Sequence, residues 1–290
     1  MESAPGGRAQ PSRQPQRRLI ITADDFGLHR RVNEAVELAC RDGVLTAASL
    51  MVGAPAIQDA VQRARSLPGL RVGLHLVLAD GAAILPRALI PALVDAQGRF
   101  GDNMVRDGFR FFFLPHVRAQ LEMEIRAQFD AFATTDLPLD HVNTHKHFHM
   151  HPTVLSLILE IGKEYGMRAM RLPCELDTPL WLKPWVSHMR ARLDQANIAH
   201  NDYVVGIART GQMDESTLLD AIARLPAGVG EIYCHPASPG DGALTAGMRT
   251  YRHADELAAL LSTRVAAALD AAGTVRGGFA DLSAHRLQAA

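Results

Sequence analysis

The chain has 290 residues, 48% of them hydrophobic and 21% charged, and 30 Lys and Arg against 31 Asp and Glu give a formal net charge of -1. This composition is typical of a globular protein and excludes the disordered, collagenous and fibrous classes. A near-neutral charge also argues against a nucleic-acid partner, because such binding needs a basic surface that displaces counterions.

The beginning of the chain differs in composition from the rest. Residues 1–17 are rich in Pro, Gly, Gln and Arg and predict a disordered N-terminal tail without the apolar segment of a secretion signal. No apolar run approaches the ~20 residues of a membrane span. The three cysteines form no CxxC motif, which argues against a disulfide framework or a cysteine zinc site. We therefore expect a cytoplasmic protein with one domain over residues 18–290.

Strands and helices alternate in the first part of the chain. Continuous apolar runs predict strands at 18–23, 44–52 and 70–77, and helical spacing predicts helices at 32–40 and 56–66. This order indicates parallel strands joined by right-handed helical crossovers.

Two long segments, 78–115 and 175–199, then interrupt the alternation, and insertions of this length after a strand are usually functional. Outside them we predict helices at 116–132, 152–165, 214–223 and 254–271, and strands at 139–143, 167–172, 202–207, 230–234 and 274–276. Seven or eight β/α units without a repeat predict a single distorted (β/α)7-8 barrel with two insertions. An open doubly wound sheet is the alternative, although no GxGxxG or P-loop motif supports a nucleotide site.

Polar residues stand at the carboxyl ends of four predicted strands, where parallel α/β folds gather reactive groups. They are Asp24 with Asp25, His75, the segment 145–151 and His235. Each has an ordinary structural interpretation, such as a turn cap, a core histidine or a histidine before proline. Their expected convergence at one end of the sheet favours a functional site instead.

The segment 145–151 reads HKHFHMH and is the sharpest of these signals. In an extended conformation its alternate histidines would lie on one face. Neutral imidazole is a good ligand for zinc-like ions, but four histidines of one strand cannot all bind one ion, so some would contact substrate or orient ligands. A surface histidine tract is the alternative, although such tracts occur in low-complexity tails. HExxH is absent, so a zincin-type peptidase is not indicated.

Two nitrogen ligands, one oxygen ligand and a free carboxylate together describe a water-activating hydrolase site. The spare aspartate would accept a proton from water, and His235, which titrates near neutral pH, suits a general acid. Hydrolysis of an amide or ester is the chemistry that this set of residues serves best.

The motifs at 22–27, 73–75, 140–152 and 234–236 resemble those of the YdjC-like carbohydrate deacetylases, in the order of that family. The resemblance implies a distorted (β/α) barrel, often dimeric, that removes acetyl groups from N-acetylated amino sugars. It implies one divalent ion per chain, Zn²⁺ or Mg²⁺, and the ligand set favours zinc. The residues it implies are the metal ligands Asp25, His75 and His145, the base Asp24, the acid His235, and the substrate-pocket residues His147, His149 and Arg171, the last of which would also orient Asp24.

Segments 111–115 and 139–147 are similar to the hopanoid-biosynthesis-associated (HpnK) branch of this family. That similarity implies an N-acetylglucosaminyl hopanoid substrate, and a diacetylchitobiose-type oligosaccharide is the alternative. Two alternatives to a deacetylase function are a glycosidase and a non-catalytic metal-dependent sugar-binding protein, and both are less favoured. The aromatic residues of both insertions would hold a lipid or dock at a membrane surface, or else form lid packing or a homodimer contact. Asn143 departs from the family, in which an acidic residue is common at this position.

Overall fold

Seven parallel strands form the centre of the computed structural model, which describes residues 17–283. The strands are β1 (Arg17–Phe26), β2 (Ala47–Leu50), β3 (Arg71–Leu76), β4 (Val142–Thr144), β5 (Tyr203–Val205), β6 (Gly228–Cys234) and β7 (Thr274–Arg276). Six are hydrogen-bonded in the order β4-β3-β2-β1-β6-β5, and β7 pairs with the start of β1. The predicted tail at 1–17 lies outside the described residues except for Arg17, which begins β1.

Helices connect the strands on the outside of the sheet, as the alternating pattern predicted. They are α1 (Arg30–Asp42), α2 (Ile57–Arg65), α3 (Met104–Phe113), α4 (Pro115–Ala133), α5 (Pro152–Glu164), α6 (Lys183–Gln195), α7 (Glu215–Ala223), α8 (His253–Leu261), α9 (Thr263–Ala271) and α10 (Phe279–Ser283). Proline begins α4 and α5, where a missing N–H costs nothing. Among residues 17–283, no helix combines the length and apolarity needed to cross a bilayer.

The sheet is curled into a distorted (β/α) barrel, which confirms the predicted fold. The two outer strands, β4 and β5, are linked through the segment 169–175. In it Met170 forms a parallel bridge with Val142 of β4, and Glu175 forms one with Val204 of β5. The strand predicted at 167–172 is thus reduced to isolated bridges, which gives the barrel its irregular side.

The barrel interior changes from apolar to polar along the strands. A small apolar cluster, separate from the main core, consists of Ile20, Ala47, Ala169 and Phe279. These residues come from different sides of the curled sheet, so they face one another inside it. Successive side chains of a strand point to opposite faces, so Thr22 and Asp24 face the same interior as Ile20, nearer the carboxyl end of β1. Both are buried, and the interior there requires polar partners.

Three further regions differ from the prediction. The insertions contain helices of their own, α3 in 78–115 and α6 in 175–199. The helix predicted at 254–271 is divided at Ser262, whose hydroxyl accepts hydrogen bonds from the N–H groups of Arg264 and Val265 and so caps α9. An Ala- and Leu-rich run hides such a break, because its apolar spacing continues through the cap.

Candidate metal centre and active site

The two aspartates at the end of β1 point to different partners because the strand is irregular there. The register of β1 with β2 shifts between Ala23 and Phe26, and Asp25 has a left-handed backbone with φ of 64°. Asp is one of the few non-glycine residues that adopt this conformation readily. As a result the Asp25 carboxylate faces two histidines, whereas Asp24 faces an arginine.

Asp25, His75 and His145 form a buried triad that could hold a metal ion. Oδ1 of Asp25 lies 3.3 Å from His75 Nε2 and 3.1 Å from His145 Nδ1. One ligand atom from each residue can be chosen so that all three lie within 4.8 Å of one another. One carboxylate oxygen and two imidazole nitrogens are a donor set suited to zinc and related divalent ions.

The hydrogen bonding of this triad fits a bound cation. Both carboxylate oxygens of Asp25 and Nε2 of His75 are buried without a partner in hydrogen-bonding geometry. Such orphaned atoms are rare in protein interiors, because leaving them unpaired costs about 1–3 kcal/mol each. A divalent cation between them would satisfy all three atoms at once, so the residues present fit the predicted group.

The histidine segment is not extended, so the arrangement considered for an extended chain, with alternate histidines on one face, does not occur. His145–Met150 forms a 3-10 helical turn in which Lys146 and His147 have left-handed φ values of 55° and 54°. The turn sends the imidazoles in different directions and leaves only His145 at the triad.

The remaining histidines of the segment have separate surroundings. His147 is partly exposed and its Nε2 lies 3.0 Å from the Tyr233 hydroxyl. His149 is fully buried, with Nδ1 2.7 Å from Oγ1 of Thr144. Burial, together with the charge of nearby Arg171, lowers the pKa of His149 to about 3, so its imidazole is neutral. Of the two predicted pocket histidines, only His147 is therefore partly exposed to solvent.

Asp24 is held by a fully buried ion-pair network. Arg171 donates to both carboxylate oxygens of Asp24, at 2.6 and 3.0 Å, and to Glu231 at 2.7 and 2.9 Å. Asn143 donates to Asp24 at 3.2 Å. Burial alone would raise the pKa of Asp24, but Arg171 and the nearby imidazoles outweigh it and hold that pKa well below its usual value. Asp24 is therefore ionised at neutral pH.

Replacing Arg171 by Met should destabilise the protein by about 3–5 kcal/mol, because two carboxylates would remain buried without a counter-charge. Urea unfolding in the presence of a chelator measures this change without a contribution from metal. Arg126→Met is the matched control, since Arg126 pairs with Glu164 in an exposed bridge and exposed pairs contribute little. Equal midpoints for the two variants would contradict the stabilising role of the network.

His235 completes the group at the carboxyl end of the barrel. Its Nε2 lies 3.9 Å from Oδ2 of Asp25. Burial lowers the pKa of His235 despite the neighbouring aspartates. The backbone around it is fixed, because its N–H donates to Glu256 and its carbonyl accepts from His253 Nδ1.

The buried carboxyl of Glu256 should make the stability of the protein depend on pH. Burial raises the pKa of Glu256 from its ordinary 4.5 to about 7. Folding therefore favours the protonated carboxyl of Glu256. The contribution of this group to the free energy of unfolding is complete below pH 4.5 and is lost as the pH rises toward 7. The loss should be roughly 3 kcal/mol for this shift. Urea unfolding between pH 4 and 8 should show this fall in the wild type and a smaller one in Glu256→Gln. Parallel pH profiles for the two proteins would contradict the role of Glu256 in this loss of stability.

Sequence reasoning missed Glu231 and Glu256. A charged residue within the apolar run 230–234 was a usable signal for Glu231, because a buried strand tolerates a charge only with a partner. Glu256 gave no signal, since a glutamate early in a helix is ordinary.

A cavity of about 690 Å³ opens beside His145. Its lining combines apolar and charged side chains, among them Leu28, Met51, Val77, Asp80, Arg99 and Met248. This combination is typical of small-molecule sites, and His145 belongs both to the cavity lining and to the triad.

Comparison with known proteins places the chain in a family. The YdjC-like protein family matches residues 18–271. A carbohydrate deacetylase of Brevibacillus brevis is 32% identical over 254 residues, covering 86% of this chain and 92% of its own. A carbohydrate deacetylase of Geobacillus stearothermophilus is 31% identical, covering 76% and 80%. A chitooligosaccharide deacetylase of Escherichia fergusonii is 33% identical over 161 residues, covering 54% and 60%.

A solved structure supports the fold independently. A crystal structure of an Enterococcus faecalis protein superposes with a TM-score of 0.74 at 24% identity, covering 92% of this chain and 99% of that one. The sequence match over most of the chain, together with this fold, shows that the protein is a member of the YdjC-like family.

Proposed function

We propose that this protein is a metal-dependent N-deacetylase that hydrolyses the acetamide of an amino sugar. The observation that carries the proposal is the arrangement of Asp25, His75 and His145 around one buried point, with Asp24 and His235 beside it. Relatives named carbohydrate deacetylase support it.

In this proposal the chain's own residues move the protons. A divalent ion held by Asp25, His75 and His145 would supply Lewis acidity, which acidifies water and polarises a carbonyl. Asp24, ionised and oriented by Arg171, accepts a proton from the attacking water. His235, which lies beside Asp25, donates a proton to the departing amine once it has itself been protonated.

The finer proposal is that the substrate is an N-acetylglucosaminyl hopanoid. An apolar face consisting of Val105, Phe109, Phe112 and Phe113 on α3 is exposed, and Trp181 before α6 is 80% exposed. The two regions lie near each other, because Trp185 of α6 donates to the Met150 carbonyl and His151 packs against Phe112. Exposed aromatic side chains of this kind are typical of surfaces that contact lipid. The name of the Escherichia fergusonii relative supports the oligosaccharide alternative.

Acetate release from the two substrates tests the proposal. The purified protein, loaded with Zn²⁺ or Mg²⁺, is incubated with acetylglucosaminyl hopanoid and with diacetylchitobiose, and the products are weighed. Loss of one acetyl group from the hopanoid at the higher rate supports the finer proposal, and a higher rate on diacetylchitobiose supports the alternative. Sugar release without acetate would indicate a glycosidase, and binding without any product would indicate a non-catalytic protein.

Vesicle flotation tests the membrane contact that a lipid substrate implies. The wild type should float with phospholipid vesicles, whereas a Phe112→Ser, Phe113→Ser double variant should float less. Leu89→Ser, which removes another exposed apolar side chain, is the control. Equal flotation of all three proteins would contradict a role of the α3 face in membrane contact.

A further inference from the structure

A chain of buried, hydrogen-bonded polar side chains runs from His75 through Asn143 into the barrel interior. His75 Nδ1 lies 2.6 Å from Asn143 Oδ1, and Asn143 Nδ2 lies 2.9 Å from Ser49 Oγ. Ser49 Oγ lies 3.0 Å from His141 Nε2, and His141 Nδ1 lies 2.9 Å from Asp140 Oδ2. All five side chains are buried, so water does not compete for these hydrogen bonds.

The direction of each hydrogen bond follows from its neighbours. The Asp24 carboxylate requires a donor, so the amide nitrogen of Asn143 faces it and the amide oxygen is left to accept from His75. His75 must therefore carry its proton on Nδ1. This leaves the lone pair of Nε2 directed toward Asp25 and the proposed ion.

The remote half of the chain is equally determined. With its proton on Nδ1, facing the Asp140 carboxylate, His141 accepts at Nε2 from the Ser49 hydroxyl, whose oxygen in turn accepts from Asn143. From Asp140 to His75, each side chain thus has one consistent assignment as hydrogen-bond donor or acceptor. Replacing one of these residues leaves the neighbouring side chain without its hydrogen-bond partner.

The far end of the chain is fixed by the helix α10. The Asp140 carboxylate accepts from the backbone N–H groups of Phe279 and Ala280, at 3.1 and 2.9 Å. The His141 ring packs against Phe279, with ring centroids 4.7 Å apart. On its other side lies Gly73, where a Cβ would come within 2.5 Å of the ring. The imidazole of His141 therefore has no room to turn.

Ser49, His141 and Asp140 have the connectivity of a Ser-His-Asp catalytic triad. Ser49 is completely buried, however, and its hydroxyl is already engaged by Asn143. No substrate carbonyl can approach it. The arrangement is therefore suited to orientation and not to nucleophilic attack.

We infer that Asn143, Ser49, His141 and Asp140 are positioning residues that hold His75 in the tautomer and orientation needed to bind the metal ion. The inference rests on the proposed function, in which His75 is a ligand. Outer partners of a ligating histidine fix its tautomer and its direction, and their loss typically weakens metal binding by about 10–100-fold. The anchoring at α10 extends this support to the opposite end of the barrel.

The tautomer of His75 can be measured without metal. In the chelator-treated protein at pH 9, the ¹⁵N chemical shifts of the ring, assigned by comparison with His75→Gln, should show the proton on Nδ1 in the wild type. Asn143→Leu should shift the proton toward Nε2, because the acceptor is lost. A wild-type proton on Nε2, or the same tautomer in the Leu variant, would overturn the inference.

Metal affinity tests the remote members of the chain. Competition with a chromophoric chelator should show Zn²⁺ binding weakened about 10–100-fold in Ser49→Ala and in His141→Phe. The double variant should bind no more weakly than the worse single variant, because both changes interrupt one chain. Thr135→Val, which loses another buried hydroxyl bonded to the Phe132 carbonyl, should bind like the wild type.

The possible failures are distinguishable. Unchanged affinity in both single variants would show that these hydrogen-bonded side chains serve only to fill the barrel interior. Multiplied effects in the double variant would show that Ser49 and His141 do not act on His75 through one connected chain. If the wild type itself binds no Zn²⁺ or Mg²⁺, the proposed function fails, whereas the tautomer measurement still decides whether the chain orients His75.

Discussion

Asp24→Asn should lower the rate of acetate release by about 10²–10⁴-fold, the range expected for loss of a general base. The amide cannot accept a proton from water, and its NH₂ group faces Arg171, which offers only donors. Metal binding should persist, because Asp24 belongs to the Arg171 network and not to the triad of Asp25, His75 and His145. Initial rates and metal content by mass spectrometry are measured on the same preparation.

A matched control separates this effect from a change of charge. Asp59→Asn removes a carboxylate that is paired with Arg63 outside the barrel, and it should retain full activity and metal. Undiminished turnover in Asp24→Asn would remove Asp24 from the mechanism. Loss of metal together with activity would instead place Asp24 among the ligands.

His75→Ala and His145→Ala should each lose bound metal and with it the acetate-releasing activity. Each variant removes one of three protein ligands from a site in which Asp25 Oδ1 already lies 3.1 to 3.3 Å from both imidazoles. We expect a weakening of Zn²⁺ binding greater than the roughly 10–100-fold caused by loss of an outer partner. Metal content after dialysis and chelator competition measure the effect.

The control for the histidine variants is His116→Ala, which removes an exposed imidazole at the start of α4. It should keep the metal content of the wild type. Unchanged metal in His75→Ala or His145→Ala would overturn the assignment of that residue as a ligand. Loss of metal in all three variants would point to weak surface binding of the ion.

The sequence alone predicted the barrel. It also predicted that the site would lie at the carboxyl ends of the strands. Continuous apolar runs with helical segments between them specify parallel strands, and this follows from local periodicity. Asp24, Asp25, His75, His145 and His235 were found because polar residues at the ends of such strands are conspicuous. The structure brings all five to one end of the sheet.

Local reasoning failed where the backbone leaves regular geometry. An extended conformation of the segment 145–151 would have placed alternate histidines on one face, but its left-handed residues turn it after His145. Histidine adopts this conformation more often than most residues, but lysine does not, and no local signal predicts two left-handed residues in succession at Lys146 and His147. Which histidine reaches the triad was therefore a matter of the tertiary structure.

What the sequence determined by itself is the order and type of the elements, because apolar periodicity and caps act over a few residues. The closure of the barrel decided which buried polar groups form hydrogen bonds with one another. These partners are far apart in the sequence: Asp24 and Arg171 are separated by 147 residues, Thr22 and Glu231 by 209, and Asp140 and Ala280 by 140. Pairings at such separations depend on the curvature of the sheet and on which faces become interior. No local signal carries that information, so the orientation of the aspartate and the support of His75 emerge only in the folded molecule.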